Sequence, residues 1–233
     1  MSSSGLLGMR LWTELDERHA TVVIPLGAVE QHGPHLPLDT DIRIATAVAE
    51  AAAPRFDGLI APALSYGASG EHEGFPGTIS LGHDALTALL LEYGRSACRW
   101  AKRLLFVNGH GGNVPALRAA AAKLRQEGRD VAWIPCAAPE YDAHAGHAET
   151  SLLMHISPLT VRTENLEPGN TTPVAQLMKP MMAGGVEGVS PNGVLGDPMT
   201  ASAAAGREMF DALTDAIVAA VCNWQPDEQG RLR

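Results

Sequence analysis

Aromatic side chains are scarce in this chain, at 5% of 233 residues, and cysteine occurs only three times. With few large rings and abundant alanine and glycine, the composition suits helices packed closely against a sheet. Cys98, Cys136 and Cys222 are far apart and lack metal-ligand spacing, so neither a disulfide framework nor a thiolate metal site is expected. Reduced, buried thiols in a cytoplasmic protein are the expectation instead. Positive charge is also in short supply: 17 Lys and Arg face 26 Asp and Glu, for a net charge of -9, with no basic cluster. That balance excludes a nucleic-acid surface. No apolar run approaches the roughly 20 residues of a membrane helix, and no basic-then-apolar leader opens the chain. A soluble protein with no membrane partner is expected. The Gly-x-Ser-x-Gly elbow of many serine hydrolases is missing too.

Hydrophobic residues make up 45% of the chain, enough for a full core. The length fits a single domain over residues 1–233, with 1–10 and 225–233 expected to be flexible. Apolar runs at 22–26, 59–64, 104–107 and 131–135 read as strands. Amphipathic patterns at 41–53, 84–99, 114–127 and 200–221 read as helices, the last capped by Asp197 or Thr200, and another helix begins near Glu149. Such alternation predicts an α/β fold with βαβ units and a mostly parallel sheet covered on both faces. Residues 163–196, rich in Gly, Pro, Asn and Met, read as a long, partly extended excursion.

Parallel sheets bind ligands at the carboxyl ends of their strands. The first strand runs into Glu30-Gln-His-Gly-Pro-His-Leu-Pro-Leu-Asp-Thr-Asp41, the second into Ser65–Thr78, the third into Asn108-Gly-His-Gly-Gly-Asn113 and the fourth towards His144–Ser151. All of these polar segments therefore converge on one edge. Prolines and glycine make the first segment a rigid loop, and its imidazoles and carboxylates are the donors a hydrolytic metal site uses. Glu30, His32, Asp41, His110 and Glu149 are the candidate ligands, with His144 a proton carrier. Each has a plainer alternative. Asp39 or Asp41 could cap a helix, and Glu149 could simply favour a helix dipole. His35 reads as a group behind the ligands or facing the substrate. His147 could serve the site or lie on the surface, and His155 reads as a core or interface histidine. Glu71-His72-Glu73 reads as substrate contact or loop structure, and Asp197 as a turn with its own side-chain bonds.

Taken together, Leu26-Gly-Ala-Val-Glu-Gln-His-Gly-Pro-His-Leu-Pro37, Asp41, Phe75-Pro-Gly-Thr-Ile-Ser80, the Asn108–Asn113 loop and His144-Ala-Gly-x-x-Glu-Thr-Ser151 resemble the creatininase family. The resemblance runs in family order over residues 22–200. It implies a three-layer αβα fold, hydrolysis of a C–N amide bond, and two divalent ions, zinc, iron or manganese. It also implies a homo-oligomer, commonly a hexamer. Carried onto this chain, Glu30 and His110 would hold one ion and His32 the other, Asp41 would bridge them, and His144 would shuttle protons. Gly112 stands where creatinine hydrolases place a further glutamate ligand, so Glu149 is expected to complete the shell. The tryptophans that cover creatinine in those enzymes are absent near His144. The motif wording is closest to the family's peptidases that release a modified C-terminal Val–Tyr unit from a ribosomally made precursor peptide. A formamide deformylase, a cyclic-amide hydrolase and a non-catalytic metal-binding subunit are the alternatives.

Overall fold

The computed structural model describes residues 5–15, 20–138 and 140–232. Four parallel strands, β1 (Thr21–Leu26), β2 (Gly58–Ile60), β3 (Arg103–Asn108) and β4 (Val131–Pro135), form a sheet of order β2-β1-β3-β4. The helices are α1 (Thr40–Ala52), α2 (Gly82–Ala97), α3 (Val114–Gln126), α4 (His147–Ile156), α5 (Val174–Gly184) and α6 (Ala203–Asn223). Every residue of β1 is buried, which is why its sequence is a continuous apolar run with no alternation. Val23, Leu105, Val107 and Ile134 face α1, α4 and α6; Val22, Ile24, Leu26, Leu104, Phe106 and Trp133 face α2 and α3. The predicted α/β fold with helices on both faces is the one observed.

The topology places the chemistry. From β1 the chain crosses to β2 on one side, then returns to β3 on the other, so the order reverses between β1 and β3. At such a switch point the loops leaving two adjacent strands part and open a crevice. Leu26 and Asn108, the last residues of β1 and β3, are register partners there. The amino end of α1 drops onto the same point. It comes so close that a Cβ on Gly27 would lie 2.8 Å from Ile42 N, and one on Gly109 would lie 2.4 Å from Asp41 O. Glycine at both positions lets the helix deliver Asp41 into the crevice.

Several expectations need correction. Residues 163–196 contain helix α5, whose apolar stripe was masked by Pro180 and by the glycines that follow. α6 is capped by neither Asp197 nor Thr200; the Ser202 hydroxyl accepts from Ala205 N at 3.2 Å, while Asp197 caps the short turn at Pro198–Thr200. Asp39 makes no side-chain cap and pairs with Arg43 at 2.7 Å. Cys98 and Cys136 are half-buried, but Cys222 is exposed. The terminal segments expected to be loose are attached where described. Ile60 N donates to Gly5 O at 2.7 Å, and Leu232, 2% exposed, donates to Trp133 O at 3.0 Å. Residues 1–4 lie outside the described part. Among the described residues, no helix is long and apolar enough to cross a membrane.

Candidate metal centre

Glu30, His32, Asp41, His110, His144 and Glu149, drawn from five separate elements and loops, meet in the crevice above β1 and β3. Glu30 and His32 are fully buried, Asp41 is 1% exposed and His110 5%. Each of three histidines is tied by one ring nitrogen to a backbone carbonyl. His32 Nδ1 donates to Glu30 O at 3.1 Å, His110 Nε2 to Ala68 O at 3.1 Å, and His144 Nε2 to Gln31 O at 2.8 Å. Those bonds turn the other nitrogen of each ring inward, with its lone pair free when the imidazole is neutral. His32 Nε2 then lies 3.0 Å from Asp41 Oδ1 and 3.8 Å from Glu149 Oε2. His110 Nδ1 lies 3.1 Å from Glu30 Oε1 and 3.3 Å from Asp41 Oδ2. His144 Nδ1 lies 3.7 Å from Glu30 Oε1.

Lone pairs pointed at carboxylates repel unless a cation sits between them. Both Glu30 oxygens and Asp41 Oδ2 are buried without a hydrogen-bond partner, an expensive arrangement for anions in a protein interior. Three groups, Glu30–Asp41–His110, His32–His144–Glu149 and Glu30–His72–His144, each hold their donor atoms within 4.8 Å of one another. Asp41 offers one oxygen to His32 and the other to His110, so it stands between the first two of these groups. The donor set therefore fits divalent cations.

Without a cation, protons take their place. Burial opposes charging of His32, but Asp41, then Glu149 and Glu30, push it up to about 10. Burial likewise opposes charging of His110, and Glu30 outweighs it to raise the group well above the usual imidazole range. Burial alone would raise Glu30, yet His110, then His72 and His144, hold it well below the carboxylate range. Burial, more than His32 and His72 beside it, pushes His144 well down. Glu149 is pushed up to about 7, chiefly by burial.

The surrounding shell locks these groups in place. Glu71 Oε1 sits 3.5 Å from the outer nitrogen of His110, and His35 Nε2 meets Thr150 Oγ1 at 2.8 Å behind Glu149. Ala145 takes the left-handed conformation, φ 51°, and its N–H reaches Glu149 Oε2 at 2.6 Å. A non-glycine residue held there is strained, as groups at functional sites often are. His147 points away to Thr200 Oγ1 at 3.1 Å, and His155 stacks on Phe210.

His72 is the group that sequence reasoning undervalued. It is 3% exposed, with Nε2 3.4 Å from Glu30 Oε1. The Gln31 amide is oriented by Gly33 N–H on its oxygen and by Gly193 O on its nitrogen, so it donates to His72 Nδ1 at 2.8 Å. The remaining proton of a neutral His72 then sits on Nε2, facing Glu30. Its position on a Gly-rich loop at the sheet edge was the one available sign.

A cavity of about 430 Å³ opens over this cluster, lined by Asp41, His72, His110, His144 and Glu149 together with Met178, Met181 and Met182. A second cavity of about 620 Å³ adjoins it, sharing Ala143, Val174 and Leu195.

Comparison with known proteins agrees with this architecture. A mycofactocin precursor peptide peptidase of Mycolicibacterium smegmatis is 54% identical, over 97% of this chain and 94% of its own. A creatininase mutant of the Zn–Zn type superposes with a TM-score of 0.81 at 28% identity, covering 97% of this chain and 100% of the other. A creatininase with Mn gives 0.79 at 27% identity, over 96% and 100%. The family model for creatininase, described as creatinine amidohydrolase, matches residues 9–221. In sequence and in fold, the chain belongs to the creatininase family.

Proposed function

We propose that this protein is a dinuclear metal-dependent amide hydrolase that acts on the mycofactocin precursor peptide and releases its modified C-terminal Val–Tyr unit. The observation that carries the metal reading is the set of histidines anchored by backbone carbonyls, each turning its other nitrogen toward a carboxylate, with both Glu30 oxygens and Asp41 Oδ2 buried without a hydrogen bond. The substrate reading is supported by 54% identity, over nearly the whole chain, to a peptidase of that name. The two adjoining cavities offer more volume than a small cyclic amide fills.

Glu30 and His110 would hold one ion, His32 and Glu149 the other, with Asp41 between them; zinc, iron or manganese suits these donors. Divalent cations held there would polarise the amide carbonyl and ease deprotonation of a water. The chain's own part is positioning and proton transfer. His144 is fixed by Gln31 O at one nitrogen, turns Nδ1 toward Glu30 and lines the cavity. Neutral at rest, it accepts the proton of the attacking water and hands it to the leaving amine, which departs poorly without one.

The test is incubation of the metal-loaded protein with the precursor peptide and creatinine together, followed by mass spectrometry. Release of the terminal fragment with creatinine intact is expected. An intact peptide beside turnover of a small amide would withdraw the peptidase assignment. His144→Ala should retain its metal and lose about 10²–10⁴-fold in rate; full activity in that variant would remove His144 from the mechanism.

A further inference from the structure

Helix α5 carries apolar residues at Val174, Leu177, Met178, Met181 and Met182, spaced so that they form one stripe. Only Leu177 is buried, in a small cluster with Val186 and Leu195 against which Met181 packs. Val174, Met178 and Met182 remain 42%, 50% and 85% exposed. An exposed methionine pair on an otherwise anchored helix calls for a partner, and the cavity identifies it. Met178 and Met182 line the same cavity as His110, His144 and Glu149. An amide whose carbonyl reaches those groups shares that cavity with the thioethers. The helix is also fastened to the site itself: Val186 N, just past its end, donates to Glu71 O at 2.7 Å, one residue from His72.

We propose that this methionine face is the side-chain specificity element of the site. It takes a large apolar or aromatic side chain on a residue flanking the scissile amide. Methionine suits the task because its unbranched, polarisable chain moulds to such surfaces and contacts ring edges favourably. The polar cluster supplies no apolar contact of its own, so the reacting amide meets the polar groups while its flanking side chain meets the methionines. This inference rests on the peptidase reading of the site.

The experiment compares peptides that differ only in one residue flanking the scissile bond, aromatic or alanine, each flank varied in turn. The metal-loaded wild type, a Met178→Gln/Met182→Gln variant and a Met178→Leu/Met182→Leu variant are assayed for kcat/KM, with metal content and mass by light scattering measured alongside. At one flank the wild type should favour the aromatic peptide by about ten- to a hundredfold, the range a buried apolar side chain supplies. The glutamine variant should fall to about twofold or less and the leucine variant should recover most of the preference. An unchanged ratio in the glutamine variant would overturn the inference. So would an unchanged ratio with a lower mass, which would assign the face to contact between copies of the chain. Wild-type cleavage without discrimination overturns this inference alone, whereas failure to cleave either peptide overturns the peptidase reading and this inference with it.

Discussion

Glu30→Gln isolates the metal contribution, because glutamine keeps the volume and shape of the side chain while removing the charge. Glu30 is fully buried, neither of its oxygens receives a hydrogen bond, and it belongs to two of the three candidate ligand groups. A ligand present at a thousand times its Kd stabilises the folded state by about 4.1 kcal/mol. For a chain of 233 residues each kcal/mol moves the midpoint by about 2–4 °C. Zinc or manganese should therefore raise the wild-type melting temperature by about 8–16 °C for a filled site. Losing an anionic ligand should weaken binding at least as much as losing an outer-shell partner, about a hundredfold. At the same metal concentration the increment drops by about 2.7 kcal/mol, or about 5–11 °C. The assay is thermal unfolding with and without metal, with a chelator-treated baseline for each variant. Asp197→Asn serves as control, since that carboxylate is occupied in capping Met199. A full metal increment in Glu30→Gln, or an equal loss in the control, would refute the placement of the ions.

Three further outcomes follow from the structure. In the metal-free protein His32 titrates near 10 and His110 well above its unfolded value near 6.5. Their contribution is complete below about pH 6.5 and lost as pH rises through the folded values. Glu149, raised to about 7, costs stability in the same direction from about pH 4.5 upward. Above about pH 6.5 the metal-free melting temperature should therefore fall with rising pH while metal affinity climbs, since protons and ions compete; a profile identical in His32→Asn would contradict this. Gly112→Ala would place a Cβ 2.4 Å from both Ala68 O and His110 Nε2. It should cost about 1–3 kcal/mol by crowding and weaken metal binding with it, and a titration showing wild-type affinity would count against that geometry. Leu232→Ala should cost about 2–4 kcal/mol in chemical denaturation, as deletion from a packed core does; a loss under about 0.5 kcal/mol, the range of surface substitutions, would mean that the tail is not docked.

The elements visible in the sequence are those whose signals are local. The run at 22–26 is apolar throughout because β1 is covered on both faces, and it announced itself as such. The helix at 114–126 combines a periodic apolar face with proline in its first turn, so it too was legible. The polar loops after β1 and β3 converge because parallel strands put their carboxyl ends on one edge, which requires only strand direction.

What stayed hidden depends on partners distant along the chain. His72 joins the cluster through Gln31, 41 residues away. No pattern near Glu71–Glu73 encodes that approach. Helix α5 reads as loop because Pro180 and the Gly184–Gly185 pair dominate local propensity, while Leu177, Val186 and Leu195 supply the tertiary burial that outweighs it. The polar tail after Trp224 reads as free, yet β4 is an edge strand whose unpaired backbone needs covering. Arg231 bridges Trp133, and the tail bonds to both its backbone and its indole. Residue chemistry determined which groups are able to hold a cation; only the folded chain decided which nitrogen of each imidazole faces in, because a carbonyl from elsewhere in the fold fixes the other.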